Sequence, residues 1–314
     1  MAFIDASTTQ IAYVKEDVEG VTPTTPEFQL LRFTGGIPQY EKESTTSDEI
    51  RPDRNVSDII ETGRRASGGF NFELSYGTFD DLLEAVLGGE WNGDVLKNGV
   101  KRHSFSFETK FLSGTANRYI RQRGCLINTM SLDITSRQIL TGNFDILGFG
   151  GSASDAEIAG ATYLDATTTS VMNAGTSFAT LDITGVSPAP TIMGLTVNIN
   201  NNLREQPAVG SVDLAGIGTG RLEVSGTMNA YFEDLSLYNA MLDHDDIALE
   251  FVIGNESGQM YKFRLPKIKL ATAVVENAGN NQDVMLNIDY NAILSTAGSP
   301  ADNASLIITR GVTV

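Results

Sequence analysis

The chain has 314 residues, 41% hydrophobic and 19% charged, with a formal net charge of -17. That is the composition of a folded protein long enough for two domains. So acidic a chain is not built to grip nucleic acid phosphates, which takes clustered Lys and Arg. Cys125 is the only cysteine, which excludes an intrachain disulfide framework and a cysteine metal cluster.

No run of about 18 apolar residues reads as a membrane span, and the first residues lack a basic segment leading into an apolar one. A soluble chain with no membrane partner is expected. Both halves are acidic, with a net charge of -8 before residue 160 and -9 after it.

From Gln39 to Arg65 the chain has few apolar residues and interleaves both signs of charge. It reads as a long surface loop made to pair with another surface. Phe70, Phe72, Leu74 and Tyr76 then alternate with Asn71, Glu73 and Ser75, the period of a half-buried strand. After Gly77 the period changes to Phe79, Leu82, Leu83, Val86 and Leu87, one face of a short helix. Thr78 is placed to cap it, Asp80 and Asp81 suit its N-terminal dipole, and Gly88 is placed to end it.

Short strands follow at Phe105–Phe107, Tyr119–Arg121, Met130–Ile134 and Phe144–Ile146. Gly148 to Thr169, rich in Gly, Ala, Ser and Thr, reads as a linker or loosely packed loop. Beyond it the same phrases return. Leu222, Val224 and Met228 alternate with polar residues, and Phe232-Glu233-Asp234-Leu235 echoes Phe79-Asp80-Asp81-Leu82 before a second apolar-periodic segment. Strands then read at Leu249–Ile253, Tyr261–Arg264, Ile268–Leu270 and Leu286–Tyr290. This order points to a duplication. The expected fold is mostly β, with two tandem β-sandwich or barrel domains, residues 1–160 and 161–314, each with one flanking helix.

No catalytic constellation emerges. His103 and His244 stand at non-equivalent places, and Asp243-His244-Asp245-Asp246 lacks metal-loop spacing. Asp80, Asp81 and Glu84 suit a helix N-terminus better than acid–base work. The glycines from Gly148 to Gly151 are not followed by Lys and Ser or Thr, so no phosphate loop is present. Neither an enzyme nor a cofactor is expected. Arg118, Arg121 and Arg123 form one small basic run, and Lys262, Arg264, Lys267 and Lys269 form another at a comparable place. In so acidic a chain these read as charged strand faces paired with acidic neighbours. If chains assemble, Arg121, Arg123, Lys262 and Arg264 are candidates for ion pairs between them.

The run Ser47-Asp48-Glu49-Ile50-Arg51-Pro52-Asp53-Arg54 followed by Gly68 to Ala85 resembles the tail tube (major tail) proteins of long, non-contractile-tailed bacteriophages. The likeness is strongest over residues 10–91 and extends more weakly to about residue 295. It implies β-sandwich domains that close into rings, with rings stacked into the tube through which DNA leaves the capsid. Two domains per chain imply homotrimeric rings of approximate sixfold symmetry. The implied partners are further copies of the chain, tape measure, terminator and distal tail proteins, with genomic DNA passing through unbound. The implied place is the virion, assembled in the host cytoplasm. On this resemblance Asp48, Glu49, Arg51, Asp53, Arg54, Arg64 and Arg65 belong to the loop that reaches the next ring. The rival reading is a carbohydrate-binding or adhesin-like β-sandwich, for which exposed aromatics are needed. Trp91 is the sole tryptophan.

Overall fold

Along most of the chain apolar and polar side chains alternate, and that alternation becomes sheet. The computed structural model describes residues 3–112, 117–277, 279–298 and 301–313, and the protein is mostly β with two short α-helices. The first strands are β1 (Gln10–Lys15), β2 (Glu27–Leu30), β3 (Gln39–Thr46) and β4 (Ile59–Glu73), followed by helix α1 (Asp80–Leu87). Next come β5 (Val95–Lys97), β6 (Phe105–Phe111), β7 (Arg118–Thr135), β8 (Thr141–Gly148), β9 (Gly150–Ser154) and β10 (Thr162–Leu164). Then follow β11 (Phe178–Thr184), β12 (Ile192–Asn200), β13 (Arg204–Gln206), β14 (Gly216–Gly218) and β15 (Glu223–Tyr231). Helix α2 (Ser236–Leu242) precedes β16 (Ile247–Glu256), β17 (Gln259–Asn277), β18 (Val284–Ala292) and β19 (Ile307–Arg310).

One broad antiparallel sheet runs in the order β3-β4-β8-β7-β12-β15-β18-β17. Strands β7 and β17, 18 and 19 residues long, enter it with their C-terminal halves. Their N-terminal halves lie in two outer sheets, β10-β2-β1-β6-β7-β9 and β11-β16-β17-β19-β5. The core lies between the layers. Phe70 of the broad sheet meets Phe107 of the first outer sheet with ring centroids 6.1 Å apart, and Phe72 stacks on Phe144 at 4.9 Å. Two glycines make room for large rings. A side chain at Gly142 would overlap Phe72, and one at Gly226 would overlap Tyr290, whose hydroxyl donates to the Thr196 carbonyl at 2.7 Å.

The pairing pattern recurs along the chain. β1, β6, β7, β8 and β4 are linked in the same order as β11, β16, β17, β18 and β15. The ladder irregularities also match: Phe105/Phe107 corresponds to Ile247/Leu249, and Ile127/Thr129 to Leu270/Thr272. Glu108 faces Arg121 on one rung, as Glu250 faces Arg264 on the other.

Several local expectations are corrected. The charged stretch from Gln39 to Arg65 is not a loop but the hairpin of β3 and the start of β4, with only residues 47–58 irregular at its tip. Its apolar signal is absent because the hairpin stands largely in solvent. Thr78 does not cap α1. Phe79 is the N-cap residue, and the buried Thr78 hydroxyl pairs with Ser75 Oγ at 2.6 Å. Gly88 does end the helix, with a φ of 58°. Helix α2 starts at Ser236, after a turn in which Asp234 accepts the Ser236 N–H at 2.7 Å. The Gly148–Thr169 stretch carries β9 and β10 instead of a loose linker. Gly151 lies tight under the Tyr40 ring, and Tyr163 of β10 stacks on Phe28 at 5.5 Å.

Candidate assembly interface

The broad sheet buries one face and leaves the other open. Successive strands bring small polar side chains into rows across the open face, such as Asn71–Asn143–Ser131–Asn198–Ser225–Asn291. A second row runs Glu73–Thr141–Asp133–Thr196 and continues through Thr227, Asp289 and Thr272, with the Thr196 and Thr227 hydroxyls 3.0 Å apart. The second row contains no Lys or Arg, and the first carries one cation, Lys269 of β17 opposite Asn291, its ammonium held by Asp246 at 2.6 Å. Partial burial pushes the carboxyls of Asp133 and Asp145 above the usual carboxylate range. Chemically these rows offer short amides, hydroxyls and acids, and their one cation is already held by a carboxylate.

The two halves of the broad sheet meet at β7 and β12, paired from Thr135↔Gly194 to Thr129↔Asn200. Among the described residues, no strand lies beside the outward edge of β3 or beside that of the C-terminal half of β17. On β17 this leaves Val274 and Val275 exposed. Such an edge presents unpaired backbone groups to another chain.

At one end of the broad sheet two arms emerge. The long arm is the β3–β4 hairpin, and the short arm is the β13–β14 hairpin. The ionic residues foreseen for inter-ring contact lie in the long arm, and most have partners there. Arg51 pairs with Asp53 at 2.9 Å, Arg64 with Glu61, and Arg65 with Glu43 at 3.2 Å. The Arg51 guanidinium holds the Asp53 carboxyl down at about 2. Asp48, Glu49 and Arg54 stand exposed at the tip, beside Ile50, 98% exposed. The apolar tip residues Ile50, Val56, Ile59 and Ile60 are all exposed, and charge-based reasoning passed over them. Their isolation in a polar stretch was the available signal.

The four cations foreseen between chains have partners within this one. Arg121 Nε donates to Glu108 Oε2 at 2.6 Å, and Arg123 lies 3.6 Å from Asp213. Lys262 lies 3.3 Å from Glu250, and Arg264 lies 2.7 Å from Asp302. His103 Nε2 contacts the Gly89 carbonyl at 2.8 Å, while Asp246 takes both Lys267 and Lys269 at 2.6 Å. Trp91 is roofed by the Arg310 guanidinium 4.4 Å from its ring, so it offers no open aromatic platform for a sugar. The C-terminal segment Leu306–Thr309 largely forms β19, which pairs with β17 and β5 of its own chain.

No helix among the described residues is long and apolar enough to cross a membrane. A comparison with curated proteins found no match. The family model described as phage tail tube protein matches residues 6–292, a span that takes in both arms and every strand but β19. The chain therefore belongs to the phage tail tube protein family, as a structural component of the virion tail.

Proposed function

We propose that three chains close head to tail into a ring, that rings stack into a tube, and that the open face of the broad sheet lines the lumen through which DNA passes. The observation that carries this reading is the β7–β12 junction. It joins two similarly paired sets of strands edge to edge, and it leaves β17 and β3 as the free counterparts of β7 and β12. Pairing the free edge of β17 with β3 of the next chain repeats that junction and removes every exposed edge of the broad sheet. On this reading residues 1–160 and 161–314 are two copies of one domain, with β10 lying at the join, and the ring has exact threefold and approximate sixfold symmetry. Assembly in the host cytoplasm and contacts with tape measure, terminator and distal tail proteins belong to the same reading.

The lumen requirement is physical. DNA slides only where phosphates find few contacts, and rows of Asn, Ser, Thr, Asp and Glu whose one cation, Lys269, is tied to Asp246 supply such a wall. Negative-stain electron microscopy of the purified chain tests the proposal. Threefold rings are expected at low salt, lengthening into tubes as screening reduces repulsion between acidic subunits. A monomer unchanged by salt and concentration would refute it.

A further inference from the structure

The two helices are alike in place and unlike in cover. Helix α1 buries Leu82, Leu83, Ala85, Val86 and Leu87, packed on β7 of its own half and on β12 of the other. Both its ends are held by the second half. At the N-terminal end Asp80 accepts from the Tyr261 hydroxyl and from Arg310 Nη1 at 2.7 Å, and the Gly77 N–H donates to the Tyr261 oxygen at 2.8 Å. At the C-terminal end Asn201 Nδ2 donates to the Val86 carbonyl at 2.9 Å. Helix α2 packs on β17 and buries only Leu237 and Ala240. Leu235 and Leu242 remain 55% and 62% exposed. Acid groups crowd both ends, Glu233 and Asp234 before the helix and Asp243 and Asp245 after it.

The matching ladders say what belongs on that bare face. Arg121↔Ser152 corresponds to Arg264↔Ile307, so the place of Tyr261 is taken in the first half by Arg118. Gln39↔Ser67 corresponds to Asn198↔Ser225, so the place of Asn201 is taken by Lys42. Both are cations with much of the side chain in solvent, Arg118 at 48% and Lys42 at 59%. Their partners within the chain are Asp155 at 3.2 Å and Glu61 at 3.4 Å. A lysine at the last turn of a helix also meets free carbonyls and a favourable dipole, and α2 has no basic residue of its own there.

We infer that α2 is a docking face for a second copy of this chain: Arg118 of the neighbour meets Glu233 and Asp234, and Lys42 of the neighbour meets the C-terminal end of α2 with Asp243 and Asp245. This contact rests on the ring reading and adds to it a seam on the outer side of the wall, independent of strand pairing. Leu235 and Leu242 are covered when the neighbour arrives. The seam inside the chain carries one further clamp, β5 on β19, for which α2 offers no counterpart, because only residues 243–246 separate it from β16. The junction between chains is thus the weaker of the two.

Charge reversal in the intact chain tests the inference. Arg118→Glu and Lys42→Glu are each expected to weaken ring formation about fivefold per junction, read by sedimentation of the purified protein, with circular dichroism and melting unchanged. Adding Glu233→Arg with Asp234→Arg to the first, or Asp243→Lys with Asp245→Lys to the second, is expected to restore rings. Wild-type rings with single variants that assemble normally, or with swaps that fail to rescue, overturn the α2 seam while leaving the ring reading intact. A wild-type chain that forms no rings overturns both.

Discussion

The long and short arms leave the same end of the broad sheet from corresponding strands, yet one is tied down and the other is not. The short arm lies against the long arm's base. Its Val212 carbonyl accepts the Arg64 N–H at 2.8 Å, its Asp213 accepts the Tyr40 hydroxyl at 2.8 Å, and its Glu205 pairs with Arg65 at 2.8 Å. The long arm extends beyond these contacts, and among the described residues its tip is paired within itself, through Arg51 and Asp53. The difference separates two jobs that hairpins at corresponding places in the sheet can do. An arm whose polar groups are satisfied by its own chain stiffens the subunit, whereas one with exposed Ile50 and Val56 has surface left for a partner.

The largest expected effect lies in the long arm. Arg51→Glu combined with Arg54→Glu sets two new acids beside Asp48, Glu49 and Asp53, and should stop rings from stacking without altering their threefold shape or melting temperature. Tubes of normal length under the microscope would show that this arm does not reach the next ring. A smaller and opposite result is expected for the short arm. Asp213→Ala leaves the Tyr40 hydroxyl without its acceptor and should cost about 1–2 kcal/mol of unfolding free energy while tubes still form. Chemical denaturation reads the first quantity and microscopy the second, and a loss of tubes with unchanged stability would reverse the roles given to the arms.

The smallest effect concerns order within the long arm's tip. The Asp53 carboxyl is held at about 2 by Arg51 and by Asn55. A carboxylate whose pKa is depressed on folding favours the folded form above its ordinary value of about 4, and that contribution is lost as pH falls from there through about 2. The tip should therefore keep its Arg51–Asp53 pairing at pH 4, and in Arg51→Ala the Asp53 midpoint should rise toward 4 in an NMR titration. An unchanged midpoint would mean that the pairing does not order the tip.

Legibility in the sequence followed burial. The Phe70–Tyr76 alternation marked the buried end of β4, because those residues pack on one face, but not residues 59–66, which run out into the arm where few side chains need be apolar. Helix α1 was readable from its stripe, since all five of its large or small apolar residues are covered, while Thr78 went elsewhere because a buried hydroxyl nearby competed for it. Strand β9 was hidden because its residues are all small, and at Gly151 that smallness answers to the Tyr40 ring above it, a tertiary demand that composition cannot express. The β7–β12 junction was likewise out of reach. Period-2 patterns tell which residues face inward, but not which edges meet.

Strands β7 and β17 pass without a break from an outer sheet into the broad sheet. A force on either layer is therefore carried to the other through covalent backbone as well as through side-chain packing. The layers cannot slide past one another while these strands hold their registers, so a wall built from such subunits would bend by opening and closing its seams.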